Sequence, residues 1–199
     1  MPGQIKIDDG AGNYTILTNA GSLGSDKTIT IPNTTGTMAL TSDISAGGLS
    51  SAQQFRLTAN VTSTGFLTAN WEVPDTSIQG NLGSIVSEAS GVFSFSETGY
   101  YLVHWDVGYQ QSAANNTFGY VEIFLTNDNS TYTSSALGYW GGTSDYDLGF
   151  GSLSIIIDVT NTTNDKVKLH YTAQTGSSRI SGSTTQNRTA VTFMKLGET

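Results

Sequence analysis

With 199 residues the chain is long enough to bury a substantial core, as one domain or as one domain plus an appendage. Its net charge of −8, with the basic residues scattered from Lys6 to Lys195, argues against a nucleic-acid partner, because phosphate contacts need clustered Lys and Arg. Cysteine is absent, which excludes disulfides, thiolate zinc sites and cysteine nucleophiles, and no apolar run approaches the roughly 20 residues of a membrane span.

Thr, Ser, Asn and Gly dominate while helix formers are scarce, so the expected fold is nearly all β. Only 12% of residues are charged, and a surface of hydroxyl and amide groups follows. The opening Met1-Pro2-Gly3-Gln4 shows neither the basic start nor the apolar run of a secretion signal. Asn-x-Ser/Thr triplets begin at Asn13, Asn33, Asn60, Asn115, Asn129, Asn161 and Asn187. In a chain this rich in Asn and Thr they are expected by chance, so glycosylation is not the reading taken.

The first part of the chain, residues 1–49, alternates short β-prone runs with turn chemistry. Ile5 and Ile7, Tyr14–Leu17, Thr28–Ile31 and Thr37–Leu40 are separated by Asp8-Asp9-Gly10, Asn19-Ala20-Gly21 and Pro32–Gly36. Runs this short carry too few large apolar side chains to bury a core within one chain, so this arm is expected to need partner chains. Ser45-Ala46-Gly47-Gly48-Leu49-Ser50 is flexible by composition and marks the boundary with a second part, residues 50–199.

Beyond Gln53 the alternation becomes regular. Tyr101, Val103, Trp105, Val107 and Tyr109 share one face of a predicted strand, with Leu102, His104 and Asp106 on the other. Val121, Ile123 and Leu125 repeat the pattern, as do Val167, Leu169 and Tyr171. Such period-two runs between Gly- and Asn-rich turns predict antiparallel sheets packed face to face, a sandwich or jelly roll. Phe124, between Ile123 and Leu125, and Ile156, between Ile155 and Ile157, make two strands apolar on both faces. Their second faces need cover, either a thicker core within one chain or contact with other copies.

Segments from both parts are similar to known families. The run Thr28–Asp43, with Ile29, Ile31, Pro32, Gly36, Met38 and Leu40 in the order strand, Pro-turn-Gly, small apolar strand, Thr-Ser-Asp, resembles an element of bacteriophage tail-fibre and virion-appendage proteins. Gly91–Val103, read as an apolar strand, a Glu97-Thr98-Gly99 turn and a second strand, resembles the central hairpin of complement globular heads, relatives of the tumour-necrosis-factor jelly roll. Ser154–Val159 with Asn164–Leu169 resembles the penultimate hairpin of that family, and Thr189–Gly197 its closing strand. The resemblance implies an all-β, antiparallel jelly-roll head behind a β-rich arm, and a homotrimer with its inner sheets around a threefold axis. It also implies an assembly or binding module and not an enzyme.

The residues themselves offer little catalytic chemistry. His104 and His170 lie at strand positions that alternate with apolar residues, where a metal site with Asp106 or Asp158 competes with a plain surface or interface role. No phosphate loop or nucleophile elbow occurs, and no convincing carboxylate pair supports a polysaccharide hydrolase. Asp145-Tyr146-Asp147 and Asn127-Asp128-Asn129 carry oxygen ligands of the kind calcium takes, without the spacing of a calcium loop. They are read as loop acids and Asx turns. No metal or cofactor is expected.

The best contact surface is a predicted loop, Leu137–Phe150, whose Tyr139, Trp140, Asp145, Tyr146 and Asp147 lie among glycines. Packing of Trp140 and Tyr146 back onto the jelly roll is the competing reading. The expected function is a homotrimeric surface appendage of a bacteriophage particle (short fibre, head fibre or capsid decoration protein). It would attach to capsid or tail through its arm, after synthesis in the bacterial cytoplasm. Recognition of a host glycan or surface protein is the alternative.

Overall fold

Thr- and Val-rich segments that alternate apolar and polar residues become strands, and no helix occurs among the described residues. The structure is a computed structural model that describes residues 5–8, 10–11, 14–17, 49, 51–75, 78–111, 117–142, 148–173 and 178–199. The chain divides into two units, Met1–Ser45 and Ala46–Thr199. In the first, β1 (Ile5–Asp8) pairs antiparallel with β2 (Tyr14–Leu17), Ile5 opposite Leu17 and Asp8 opposite Tyr14. Gly10, between them, takes a positive φ of 80° that glycine adopts without strain. Ile29, Ile31, Pro32, Gly36, Met38 and Leu40 of the arm lie outside the described residues.

The second unit is a two-layer antiparallel sandwich. Its strands are β3 (Ser51–Leu57), β4 (Gly65–Phe66), β5 (Trp71–Glu72), β6 (Val86–Ala89), β7 (Val92–Phe95), β8 (Gly99–Gln111) and β9 (Thr117–Thr126). They continue with β10 (Thr133–Gly142), β11 (Leu148–Val159), β12 (Lys166–Ala173), β13 (Ser178–Ile180) and β14 (Thr189–Gly197). One sheet runs β10-β9-β12-β7-β6, with β4 added to β12; the other runs β11-β8-β14-β3-β5, with β13 added to β8.

The inward residues are those the alternation singles out. Tyr101, Val103, Trp105 and Val107 of β8, Val121 and Ile123 of β9, and Val167, Leu169 and Tyr171 of β12 are all buried. Phe55, Phe93, Phe95 and Phe193 pack between the layers, with Phe93 and Phe193 centroids 5.2 Å apart and Phe55 edge-on to Phe93 at 5.4 Å. Each such ring contributes about 1.5–3 kcal/mol by leaving water, so this cluster anchors the fold. Arg56, on the opposite face of β3, is buried too. It donates to Glu72 Oε1 (2.5 Å), Asp75 Oδ1 (3.1 Å), Gln79 Oε1 (3.0 Å) and the Thr184 carbonyl, as a buried guanidinium must.

Two predicted hairpins are corrected. β7 and β8 do not pair with each other: β7 lies between β6 and β12, whereas β8 lies between β11 and β14. β11 and β12 likewise belong to different sheets. The turns after Phe95 and Val159 are therefore arches that carry the chain across the core. Phe95 and Tyr101 meet inside the arch at 4.7 Å, one from each sheet. A true hairpin joins β6 to β7, where Ser90 (φ 53°) and Gly91 (φ 78°) form a two-residue loop with Ala89 opposite Val92. A side chain at position 91 would meet the Leu67 carbonyl oxygen at 2.4 Å.

The sheet orders leave β10 at the edge of one layer and β11 at the edge of the other, and the two run beside each other. Between them lies an open cleft of about 450 Å³ lined by Phe95, Leu125, Thr133, Ile157, Asp158 and Lys166, among others. A smaller one of about 140 Å³ lies farther along, against Tyr109, Trp140, Phe150 and Leu153.

Candidate functional site

The predicted loop Leu137–Phe150 is mostly strand: β10 runs through Gly142 and β11 begins at Leu148. Asp145, Tyr146 and Asp147 lie outside the described residues. Tyr139 and Trp140, neighbours on β10, point to opposite sides, as strand geometry requires. Trp140 is only 8% exposed and is stacked between Tyr109 of β8 (5.0 Å, 16°) and Tyr171 of β12 (5.7 Å, 10°). It packs as a core residue, with its edge in the wall of the smaller cleft. Burial also pushes the Tyr171 hydroxyl above the usual phenol range.

The glycines around these aromatics have a steric reason. A Cβ on Gly119 of β9 would stand 2.4 Å from Trp140 Cζ2, and one on Gly149 of β11 would stand 2.0 Å from the Tyr109 ring. Glycine inside a strand marks such a close approach. That was the signal in the sequence for a stacked core instead of a loop.

Tyr139 is 69% exposed and opens a surface that sequence reading did not assemble. It lies opposite Tyr120 of β9, ring centroids 5.6 Å apart. Phe124 follows on the same face of β9, and register places Lys168 of β12 beside it. Register also places His170 beside Glu122, and Phe66 of β4 beside His170. The two-sided apolar strand predicted around Phe124 thus has its second face in an aromatic surface. Nothing within the described residues of the chain covers Tyr139.

The opposite outer face, on β11, β8, β14 and β3, is different. Ile156 is 62% exposed and lies opposite Leu102, which lies opposite Met194, which lies opposite Ala52. This is an aliphatic row across four strands, with exposed Tyr100 in the next outward position of β8. On the other side of the row, the row Ser154–His104–Thr192–Gln54 is polar.

Both histidines have a carboxylate partner. His104 Nε2 lies 3.1 Å from Asp106 Oδ1 on its own strand, and His170 Nδ1 lies 3.3 Å from Glu122 Oε2. They sit on opposite sheets and form no joint site, and Asp158 joins neither pair. No group of three or more metal-ligating side chains occurs among the described residues. Asp128 Oδ1 accepts from the backbone N–H of Thr131 (2.7 Å) and Ser130 (2.8 Å) and from Thr126 Oγ1 (2.7 Å). These bonds hold its carboxyl well below the usual carboxylate range and explain it as turn chemistry.

No family model matches the chain, and no curated protein matches it in sequence. Among solved structures, murine APRIL at pH 5.0 is similar with a TM-score of 0.53 and 13% identity, covering 73% of this chain and 98% of that one. Murine APRIL at pH 8.0 gives a TM-score of 0.50 at the same identity and coverage. At that identity the likeness concerns the fold alone. Together with the two antiparallel layers and their arched connections, it identifies the head as a tumour-necrosis-factor-like jelly roll.

Proposed function

We propose that this protein is a homotrimeric surface appendage of a bacteriophage particle, a short fibre, head fibre or capsid decoration protein. The arm, residues 1–49, attaches it to capsid or tail proteins, and the jelly roll projects outward on the virion surface. The observation that carries the reading is the aliphatic row Ile156–Leu102–Met194 on the outer face, exposed at Ile156 and half-buried at Leu102 and Met194. Contiguous aliphatic surface of this kind marks an interface. The open seam between β10 and β11, whose lining includes Ile156, supplies a differently shaped surface beside that face. A flat face on one copy seated on the seam of the next is a heterologous contact, which closes into a three-membered ring when successive copies are related by a 120° rotation. The phage-appendage resemblance of Thr28–Asp43 supports the role of the arm.

Host-surface recognition is the second reading, and outward Tyr139 beside Tyr120 favours it. The first reading is tested by sedimentation of the full chain together with antibody labelling of purified particles. A mass of three chains and labelled virions are expected. A folded monomer at micromolar concentration would overturn the trimer, and unlabelled particles the appendage.

A further inference from the structure

Two strand glycines beside the smaller cleft are not explained by the packing of their own chain. Gly138 of β10 and Gly151 of β11 both line it. A Cβ on Gly138 would make only ordinary contact, 3.5 Å from Leu153 Cδ2, and one on Gly151 would meet no atom within 4 Å. Gly119 and Gly149, by contrast, are required by the rings that lie against them. Glycine weakens a strand, and where nothing inside the chain needs the room it marks the close approach of something outside.

The walls of the cleft suit an apolar guest. Its volume of about 140 Å³ reaches down to buried Val107, Val121 and Trp140, and no charged residue is among its described lining. Water against such walls finds few partners, and a cavity of about 150 Å³ with aliphatic and aromatic walls takes up one benzene-sized group. A charged guest would be left unpaired there. The occupant is therefore a single neutral, apolar side chain.

The chain carries a knob of that kind at the other end of the same sheet. β5 closes the sheet at the edge opposite β11. Ile78, on the loop after β5, is 100% exposed. The buried Arg56 guanidinium grips this loop on both sides of it, through Asp75 Oδ1 (3.1 Å) and Gln79 Oε1 (3.0 Å). Leu82, farther along, exchanges both backbone bonds with Ala52 at 2.8 Å each. One exposed isoleucine is ordinary on a protein surface. One presented by a loop tied to a buried cation is held in place before it binds, which lowers the ordering cost of contact. Ile156 and Tyr100, the exposed apolar residues of the flat face, stand on strands whose neighbours limit how deeply they can enter a cleft.

We infer that the smaller cleft is a socket for Ile78 of a second copy, so that each chain lends a knob to the next and receives one from the last. Knob and socket are different patches at opposite edges, as a heterologous contact requires. This inference deepens the trimer reading and rests on it for closure of the ring. The chain has no cysteine, so introduced thiols report on one contact at a time. Full-length Ile78→Cys with Ser152→Cys, treated with a short bis-maleimide, should run as a covalent trimer on a denaturing gel, whereas neither single variant should. Ile78→Asp should weaken self-association by about tenfold or more across a sedimentation series, and Ile78→Leu should stay within about threefold of the parent. Gly151→Leu, which fills the socket from its own chain, should also weaken association by about tenfold while the far-UV circular dichroism stays that of the parent. Replacing a wholly exposed side chain leaves the fold intact, so Ile78→Asp separates lost contact from lost folding. A trimer that forms no cross-link, or whose affinity Ile78→Asp or Gly151→Leu leaves unchanged, would overturn the socket and leave the trimer standing. A folded monomer of the unaltered chain would overturn both.

Discussion

The two outward faces of the jelly roll arise from the same period-two alternation and carry different chemistry. On β11, β8 and β14 the outward row is aliphatic, Ile156, Leu102 and Met194, with the His104–Asp106 pair set to one side. On β9, β10, β12 and β4 the outward residues are rings with charges among them: Tyr120, Phe124, Tyr139, Phe66, Lys168 and the Glu122–His170 pair. Aliphatic side chains have no polar groups to satisfy and gain only by leaving water, so the first face suits a lasting contact with another copy. Aromatic rings with donors beside them tolerate water and can be covered and uncovered, so the second suits a reversible ligand. One sheet pattern thus yields two surfaces of different chemistry, according to what fills the outward positions.

The sharpest contrast lies within β10 itself. Trp140→Ala should lower stability by about 3–5 kcal/mol, since it empties the stack between Tyr109 and Tyr171. Tyr139→Ala, one residue away on the outward side, should change it by no more than about 0.5 kcal/mol. Urea unfolding of both variants checks this, and a comparable loss in the two would break the division between inside and outside. Ile156→Glu should weaken self-association by about 100-fold, roughly 2.7 kcal/mol, while the monomer stays folded, as read by sedimentation across a concentration series. Association as tight as the parent would remove the aliphatic face from the interface.

Gly119→Ala should destabilise by about 1–3 kcal/mol, because its Cβ would enter the Trp140 ring. Pairing it with Trp140→Ala in a double-mutant cycle should recover most of that loss. The smallest effect concerns Asp128. Its carboxyl is depressed in the folded state by bonds from Thr131, Thr126 and Ser130, so its contribution is present above the unfolded value of about 4 and fades as pH falls towards the folded one. Asp128→Asn should therefore lower the melting temperature at pH 7, with the gap to the parent narrowing steadily below pH about 4. A gap that widens on acidification would mean the turn is held by something else.

Much of the head was legible in its alternation. Val103 and Trp105 on β8, Val167 and Leu169 on β12, and the closing run Thr189–Gly197 announce buried strands in this way, since a side chain's face is fixed by parity along the strand. Partner choice was not legible. An arch and a hairpin can share the same turn residues, and what separates them is whether the flanking apolar faces look at each other across the core, as Phe95 and Tyr101 do.

The sequence by itself determined that the head is built of β-strands and which residues of β8, β9 and β12 point inward, because these follow from composition and local periodicity. Only the tertiary structure decided that Trp140 is interior while Tyr139 is exterior, and that β10 and β11 end their sheets side by side. It alone brought Phe66, Phe124, Tyr132 and Lys168 together from β4, β9, the turn after β9 and β12. The physical reason is the range of the information. Parity along a strand is set by adjacent residues, whereas a surface shared by four separate segments depends on pairings between residues about 40 to 100 positions apart, which no local pattern encodes.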